Sequence, residues 1–164
     1  MHLFRCCASR ASSKFGASIK AALVFFIALL AATDSAHAVD YVSVADSAAV
    51  LYDAPSLKAK KMFVVSRYWP LEQVVNLDNW VKVRDSSGGL AWIEKRSLSS
   101  KHYVVVTVAL AAIRQAPEEK AAVLIQTKQQ VALEWLENTG TGWLKVRHLD
   151  GATGYVKSTE VWGD

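Results

Sequence analysis

The feature that most constrains the fold of this chain is an internal repeat. The segment WVKVRDSSGGLAWIEK (80–95) is matched by WLKVRHLDGATGYVKS (143–158), so that Trp80 aligns with Trp143 and Trp92 with Tyr155. Further upstream, AAVLYDAPS (48–56) aligns with LAAIRQAPE (110–118) at nearly the same shift. Agreement in residue type, spacing and order over most of each copy indicates a tandem duplication, in which each copy is one structural unit.

Each copy consists of short strand-like segments separated by turn residues. In the first copy the predicted strands are Tyr41–Ala45, Val50–Tyr52, Met62–Ser66, Leu71–Leu77, Trp80–Asp85 and Leu90–Glu94. No segment has a sustained helical period, and the apolar run 103–113 is rich in β-branched residues, which favours a buried strand. Five or six short strands per copy predict an all-β fold of two small β-barrels, and closure of each sheet would leave no exposed edge.

The first 38 residues have the pattern of a secretory signal peptide. Four basic residues precede an apolar run, 21–32, which is followed by Ala36-His37-Ala38, a small-x-small sequence that signal peptidase accepts. The alternative is an uncleaved membrane anchor, but twelve apolar residues are short of the ~20 that a spanning helix needs. We therefore predict cleavage after Ala38, a first barrel over 39–100, a second over 101–164, and a periplasmic or secreted protein.

Removing residues 1–38 changes the composition. The segment holds four of the chain's 19 basic residues and one of its 15 acidic residues, which leaves 15 and 14 and a net charge near +1. Nucleic-acid binding requires a strong positive field, so a nucleic-acid partner is not expected. Cys6 and Cys7 lie in the same segment, so the mature chain has no disulfide or thiol nucleophile. Contact with a membrane is expected only during export.

The repeated hairpin resembles the second half of a bacterial SH3 domain. The matching elements are a Trp followed by x-Lys-Val-Arg, a turn that contains Gly, and an aromatic residue followed by Ile or Val. Ala54-Pro55-Ser56 and Ala116-Pro117-Glu118 resemble the first long loop of that family. The resemblance implies a small β-barrel in each copy, and it implies a cell-wall or peptide-binding role for an exported member. A polyproline ligand is not expected, because Glu94 and Ser97 stand where the proline-binding groove needs a proline and a tyrosine.

Aromatic side chains are the candidate ligand-binding residues. By strand alternation Trp80 shares a face with Lys82 and Arg84, which predicts a partly solvent-facing tryptophan, while Val81 and Val83 point inward. The two hairpin tryptophans are not evidently on one face, but strand twist could bring both to one shallow cleft, with the Pro55–Lys61 loop as a wall. The candidate residues are Trp80, Trp92, Tyr52, Trp69, Trp143 and Tyr155. The alternative is a structural role, because aromatic rings bury large areas wherever they lie.

Other residue types give weaker signals. Lys58, Lys60 and Lys61 form a basic cluster that is read as a solvated loop, with attraction to anionic cell-wall polymers as the alternative. His102 and His148 lack partners at metal-ligand spacing, and no nucleophile motif such as GxSxG is present, so neither metal, cofactor nor catalysis is predicted. The predicted function is a monomeric, exported binding module for a cell-wall glycan or peptide or an envelope protein. The alternative is an adaptor whose aromatic residues bind a protein partner or pack the two barrels together.

Overall fold

The first copy forms one seven-stranded antiparallel sheet. The computed structural model describes residues 39–164, so the predicted signal peptide lies outside the described residues. The strands of this sheet are β1 (Tyr41–Val44), β2 (Ala48–Tyr52), β3 (Lys61–Ser66), β4 (Pro70–Asn76), β5 (Trp80–Arg84), β6 (Leu90–Glu94) and β7 (Leu98–Ser99). A 3₁₀ helix, Lys95–Ser97, connects β6 to β7. The predicted strands therefore differ from the observed ones only at their ends, whereas β7 and the 3₁₀ turn were not predicted.

The second copy repeats this arrangement element by element. Its strands are β8 (Tyr103–Val106), β9 (Leu110–Arg114), β10 (Val123–Lys128), β11 (Ala132–Asn138), β12 (Trp143–Arg147), β13 (Thr153–Lys157) and β14 (Val161–Trp162), with a 3₁₀ helix at Ser158–Glu160. The apolar run 103–113 is divided between two strands, since β8 pairs with β11 while β9 pairs with β10. The fold class is all-β, with two small units in tandem, as predicted.

Each sheet encloses its own apolar core. The first core includes Leu51, Leu71, Val81, Val83 and Ile93, all buried, and comes from five of the strands of that sheet. The second core uses the same positions one repeat later, among them Ile113, Leu133, Leu144, Val146 and Val156. Irregular pairing recurs at one place in both copies, between Gln73 and Val75 in β4 and between Trp135 and Glu137 in β11. Such bulges bend a strand, which lets a short sheet curve around its core.

The sheets are not fully closed. In the first sheet the strand order is β3-β2-β6-β5-β4-β1-β7, so β3 pairs with β2 alone and lies at an edge. The same position in the second sheet is held by β10. The expectation that closure would remove every exposed edge is therefore wrong for β3. Its side chains Met62, Phe63 and Val64 are all exposed to solvent.

Aromatic rings join the two barrels. The His102 ring stacks between Tyr41, at 5.6 Å between ring centroids, and Trp135, at 4.6 Å. The Tyr41 ring also meets the edge of Trp162 at 5.3 Å. A second contact stacks Tyr68 on Tyr103 at 4.7 Å, and burial is the main reason that the pKa of Tyr103 is raised. These contacts combine side chains from both copies and bury aromatic area between them.

Candidate functional site

The hairpin of β5 and β6 presents a regular outer face. Its two strands pair so that Trp80 lies opposite Glu94 and Lys82 lies opposite Trp92. Along β5 the buried side chains alternate with half-buried ones: Val81 is almost fully buried, as is Val83, while Trp80 and Lys82 are half-buried. The prediction that Trp80 shares a partly solvent-facing side with Lys82 and Arg84 is therefore confirmed.

The two tryptophans of this hairpin lie on the same face. Directly opposed residues of an antiparallel pair project to the same side of the sheet. Because Trp92 is opposite Lys82, and Lys82 is two residues from Trp80, both rings project outward as diagonal neighbours. The Lys82 ammonium group lies 5.9 Å from the centroid of the Trp92 ring, within the range of a cation–π contact. Sequence alternation alone did not establish this, because the register of the hairpin was not known.

Tyr52 completes an aromatic cluster with these tryptophans. It pairs with Trp92 between β2 and β6, and its ring meets Trp80 edge to face, with 5.4 Å between centroids and 88° between planes. Tyr52 is only 6% exposed, so it packs against the Trp80 ring and presents little surface to a ligand. Tyr52, Trp80 and Trp92 are called the aromatic cluster below.

A cleft of about 440 Å³ adjoins the aromatic cluster. It is lined by Leu57, Asp78, Asn79, Glu94, Lys95 and Arg96. Asn79 directly precedes Trp80, and Glu94 is the cross-strand partner of Trp80, so the cleft lies next to the aromatic cluster in the hairpin. None of the predicted aromatic residues lines the cleft itself, so the expectation that the two tryptophans flank it is corrected. Leu57 supplies a wall from the loop between β2 and β3. That loop is closed by Asp53, whose side chain accepts a hydrogen bond from the Lys60 amide at 3.0 Å.

The rim of the cleft carries both signs of charge. The Glu94 carboxylate is paired with Arg96 at 2.9 Å, and the Lys95 ammonium donates to the Asn76 side chain at 2.9 Å. Asp78 adds a second carboxylate. The cleft therefore offers partners both to an amine and to a carboxylate of a ligand. Sequence reasoning missed these residues, since the 3₁₀ turn that brings Lys95 and Arg96 beside Asp78 was not predicted.

Trp69 does not lie with the aromatic cluster. It packs against the core of the first barrel and lines a smaller cavity of about 260 Å³, together with Gln129 and Gln130 of the second copy. Its neighbour Tyr68 stacks on Tyr103. The expectation that Trp69 belongs to the aromatic groove of the first copy is corrected by this placement. The reason is a left-handed backbone at Tyr68, with φ of 70°, which turns the chain sharply between β3 and β4.

On the equivalent face of the second copy, the tryptophan is buried beside charged side chains. Trp143 is only 8% exposed, and the Lys157 ammonium lies 5.9 Å from its ring centroid. Lys157 is held there by Glu119 at 2.5 Å. Arg114 replaces the supporting Tyr52 and donates to the Ala121 carbonyl at 2.9 Å. Tyr155 pairs with Arg114 between β13 and β9 and is half-buried.

The Lys157 hydrogen bond and charge also act on Glu119. They hold the pKa of this carboxyl below its ordinary value, so the carboxylate stays charged at neutral pH. The cover over Trp143 is therefore an ion pair that persists under ordinary conditions. The first copy has Leu57 at the position of Glu119 and Glu94 at that of Lys157, and so it has no equivalent pair.

Two general properties of residues 39–164 bear on the site. Over this part of the chain no helix is long and apolar enough to cross a bilayer. Within the same residues no group of three or more His, Cys, Asp or Glu side chains is arranged to hold a metal ion.

The chain is similar to one family of domains along most of its described length. The family model described as the bacterial SH3 domain matches residues 45–100 and again residues 107–163. No curated protein matches the chain. Among solved structures, NlpC2 from Trichomonas vaginalis has 14% identity and a TM-score of 0.36, covering 79% of this chain and 50% of that one. An NlpC/P60 family protein from Bacillus cereus has 16% identity and a TM-score of 0.35, covering 74% and 55%. The chain thus spans about half the length of these structures.

Proposed function

This chain belongs to the bacterial SH3 domain family, and from that premise we propose that it is an exported, non-enzymatic binding module of the cell envelope. Its ligand is peptidoglycan or an envelope peptide, and its first copy carries the site. The observation that carries this proposal is the outward-facing Trp80 ring beside a cleft of about 440 Å³ with charges of both signs. Glycan rings and peptide side chains both have apolar faces with polar edges, which aromatic platforms accommodate.

The rim of the cleft favours a ligand that is itself charged. Asp78 and Glu94 can receive an amine, while Lys95 and Arg96 can receive a carboxylate. A stem peptide of the cell wall has both groups, whereas a neutral glycan strand has neither. The glycan would then lie on the aromatic cluster and the peptide in the cleft.

The rival function is that of an adaptor whose aromatic residues pack the barrels or bind a protein. The rings that meet between the barrels are Tyr41, Tyr68, His102 and their partners, and the aromatic cluster is not among them. This separation supports a ligand role for Trp80 over a packing role. A protein ligand for the same face is distinguished from a cell-wall ligand by the use of sacculi that contain no protein.

Retention on purified, protein-free cell-wall sacculi tests the proposed function. Trp80→Ala should lower retention about tenfold, while Trp143→Ala, the matched control in the second copy, should lower it much less because that ring is already covered. Circular dichroism establishes that each variant is folded. Leu57→Ser, at an exposed position in the cleft wall, provides a second test and should weaken retention several-fold. Absence of retention, or equal losses for Trp80→Ala and Trp143→Ala, would contradict the proposal.

A further inference from the structure

The edge strand β3 and the three lysines just before it form a surface apart from the proposed ligand site, which takes only Leu57 from the same loop. Three apolar side chains are exposed on this strand, and Val64 is 69% exposed, Phe63 54% and Met62 41%. Three lysines, Lys58, Lys60 and Lys61, immediately precede them and are all exposed. These six residues, 58 and 60–64, are called the basic–apolar edge below.

Charge distinguishes this edge from its counterpart. In the second copy the same loop carries Glu118 and Glu119, and the edge strand β10 begins with Val123 and Leu124, which are also exposed. The two copies therefore have similar apolar edges, but only the first has a run of lysines beside it. In the described residues none of these lysines forms an ion pair, so their charges are available to an anionic partner.

From this combination we propose that the basic–apolar edge binds the surface of a bilayer that contains anionic lipids. Lysines are attracted to the negative surface, and exposed Phe, Met and Val side chains enter the boundary between headgroups and acyl chains. The edge would lie at headgroup depth, where water still satisfies the free backbone groups of β3. The protein would then be held at a membrane surface by the first barrel while its aromatic cluster remains available.

The arrangement of the side chains favours a bilayer over other occupants. Phe63 pairs with Leu51 and Val64 with Val50, so these two side chains project to opposite faces of β3. A bilayer approached edge-on can cover both faces, whereas a peptide added as an extra strand covers the backbone and leaves one of them exposed. Pairing of two copies through β3 would bring two runs of lysines together, and like charges placed opposite one another are destabilising. A soluble anionic polymer would satisfy the lysines but not the apolar side chains.

Sedimentation with lipid vesicles tests this inference. Residues 39–164 contain both cores and every strand described, and they form one compact unit, so this segment is the protein to use. We expect binding to vesicles of phosphatidylglycerol and phosphatidylcholine, none to phosphatidylcholine alone, and a decline as salt is added. Replacing Lys58, Lys60 and Lys61 by Ser should weaken partitioning on the order of 100-fold.

The apolar half of the edge and the alternative occupants are tested separately. The double variant Phe63→Ser with Val64→Ser should weaken vesicle binding about tenfold, whereas Val123→Ser with Leu124→Ser, the control in the second copy, should leave it unchanged. The inference is overturned if anionic vesicles are not bound, or if the Phe63 and Val64 variant binds them normally. It is also overturned if sedimentation velocity shows dimers of the wild-type protein that the Phe63 and Val64 variant does not form. Binding of poly(glycerol phosphate) as tight as that of the vesicles would likewise overturn it, because the partner would then be a soluble anionic polymer. Sacculi contain no lipid, so loss of vesicle binding and loss of sacculus binding are independent results.

Discussion

The two copies have nearly the same core and very different outer faces. Trp80 and Trp143 occupy equivalent positions on β5 and β12. Three residues later each strand carries a buried valine, Val83 or Val146. In the first copy the neighbours of the tryptophan are Tyr52, Glu94 and an open cleft. In the second they are Arg114, Lys157 and the paired Glu119, and the ring is covered. The two copies thus share the core residues that stabilise each barrel, and they differ in the outer side chains that could contact a ligand.

The largest effect is expected in the shared core. Val83→Ala and Val146→Ala should each destabilise their own barrel by about 1–3 kcal/mol, because each removes buried methyl groups and leaves a cavity. Hydrogen exchange measures the stability of each barrel separately, through the protection of the β5 amides in the first and of the β12 amides in the second. Lys82→Ala, on the outer face of β5, is the control and should have little effect. Strongly unequal losses for the two valines would show that the cores are not equivalent.

A second difference concerns the space between β9 and β13. A Cβ atom at Gly154 would lie 2.6 Å from an Ile113 methyl group and 2.7 Å from the Arg114 carbonyl oxygen. The first copy has Ala91 at this position, also buried. Gly154→Ala should therefore destabilise the second barrel by about 1–3 kcal/mol through overpacking. The reverse change, Ala91→Gly, should be milder, and a neutral Gly154→Ala variant would show that the strands can separate at no cost.

The second core also contains a polar group without a partner. Thr127 is 4% exposed, and among the described residues its hydroxyl has no hydrogen-bond partner. The equivalent residue in the first copy is Val65, which packs against the core there. Thr127→Val should stabilise the second barrel by about 1 kcal/mol, because it removes the cost of an unpaired buried hydroxyl. Val65→Thr should act in the opposite direction on the first barrel. Denaturant unfolding of both variants gives the sign of each change.

The smallest effect is expected at the cover of Trp143. Glu119→Gln removes the partner of Lys157, so the indole should become more accessible to acrylamide quenching, while Glu118→Gln should leave quenching unchanged. The pKa of Glu119 is lowered by Lys157, so the ion pair is present above the ordinary glutamate range and is lost as pH falls through the lowered value. Wild-type protein should therefore show the same increase in quenching only in acid. No response in either experiment would mean that Trp143 is buried by packing alone.

The sequence predicts the strands and their faces well because both depend on short-range patterns. Alternation within β5 is enough to place Val83 inward and Trp80 outward. Whether a tryptophan is open depends instead on residues far away in the chain. Tyr52 contacts Trp80 from another strand, and Glu119 reaches Lys157 across 38 positions. The misplacement of Trp69 has a different cause, because a non-glycine residue with positive φ, here Tyr68, has no reliable signature in the sequence.

The pairing of the first and last strands of each copy has a mechanical consequence. β1 pairs with β7, and β8 with β14, in antiparallel register, so the chain enters and leaves each barrel at the same edge. Tension applied between these two ends would break the hydrogen bonds between the paired strands one after another, because the force acts on one pair at a time and not on all of them together. Because β7 and β14 are only two residues long, little of each ladder resists this opening. Each barrel should therefore yield at low force and from its ends.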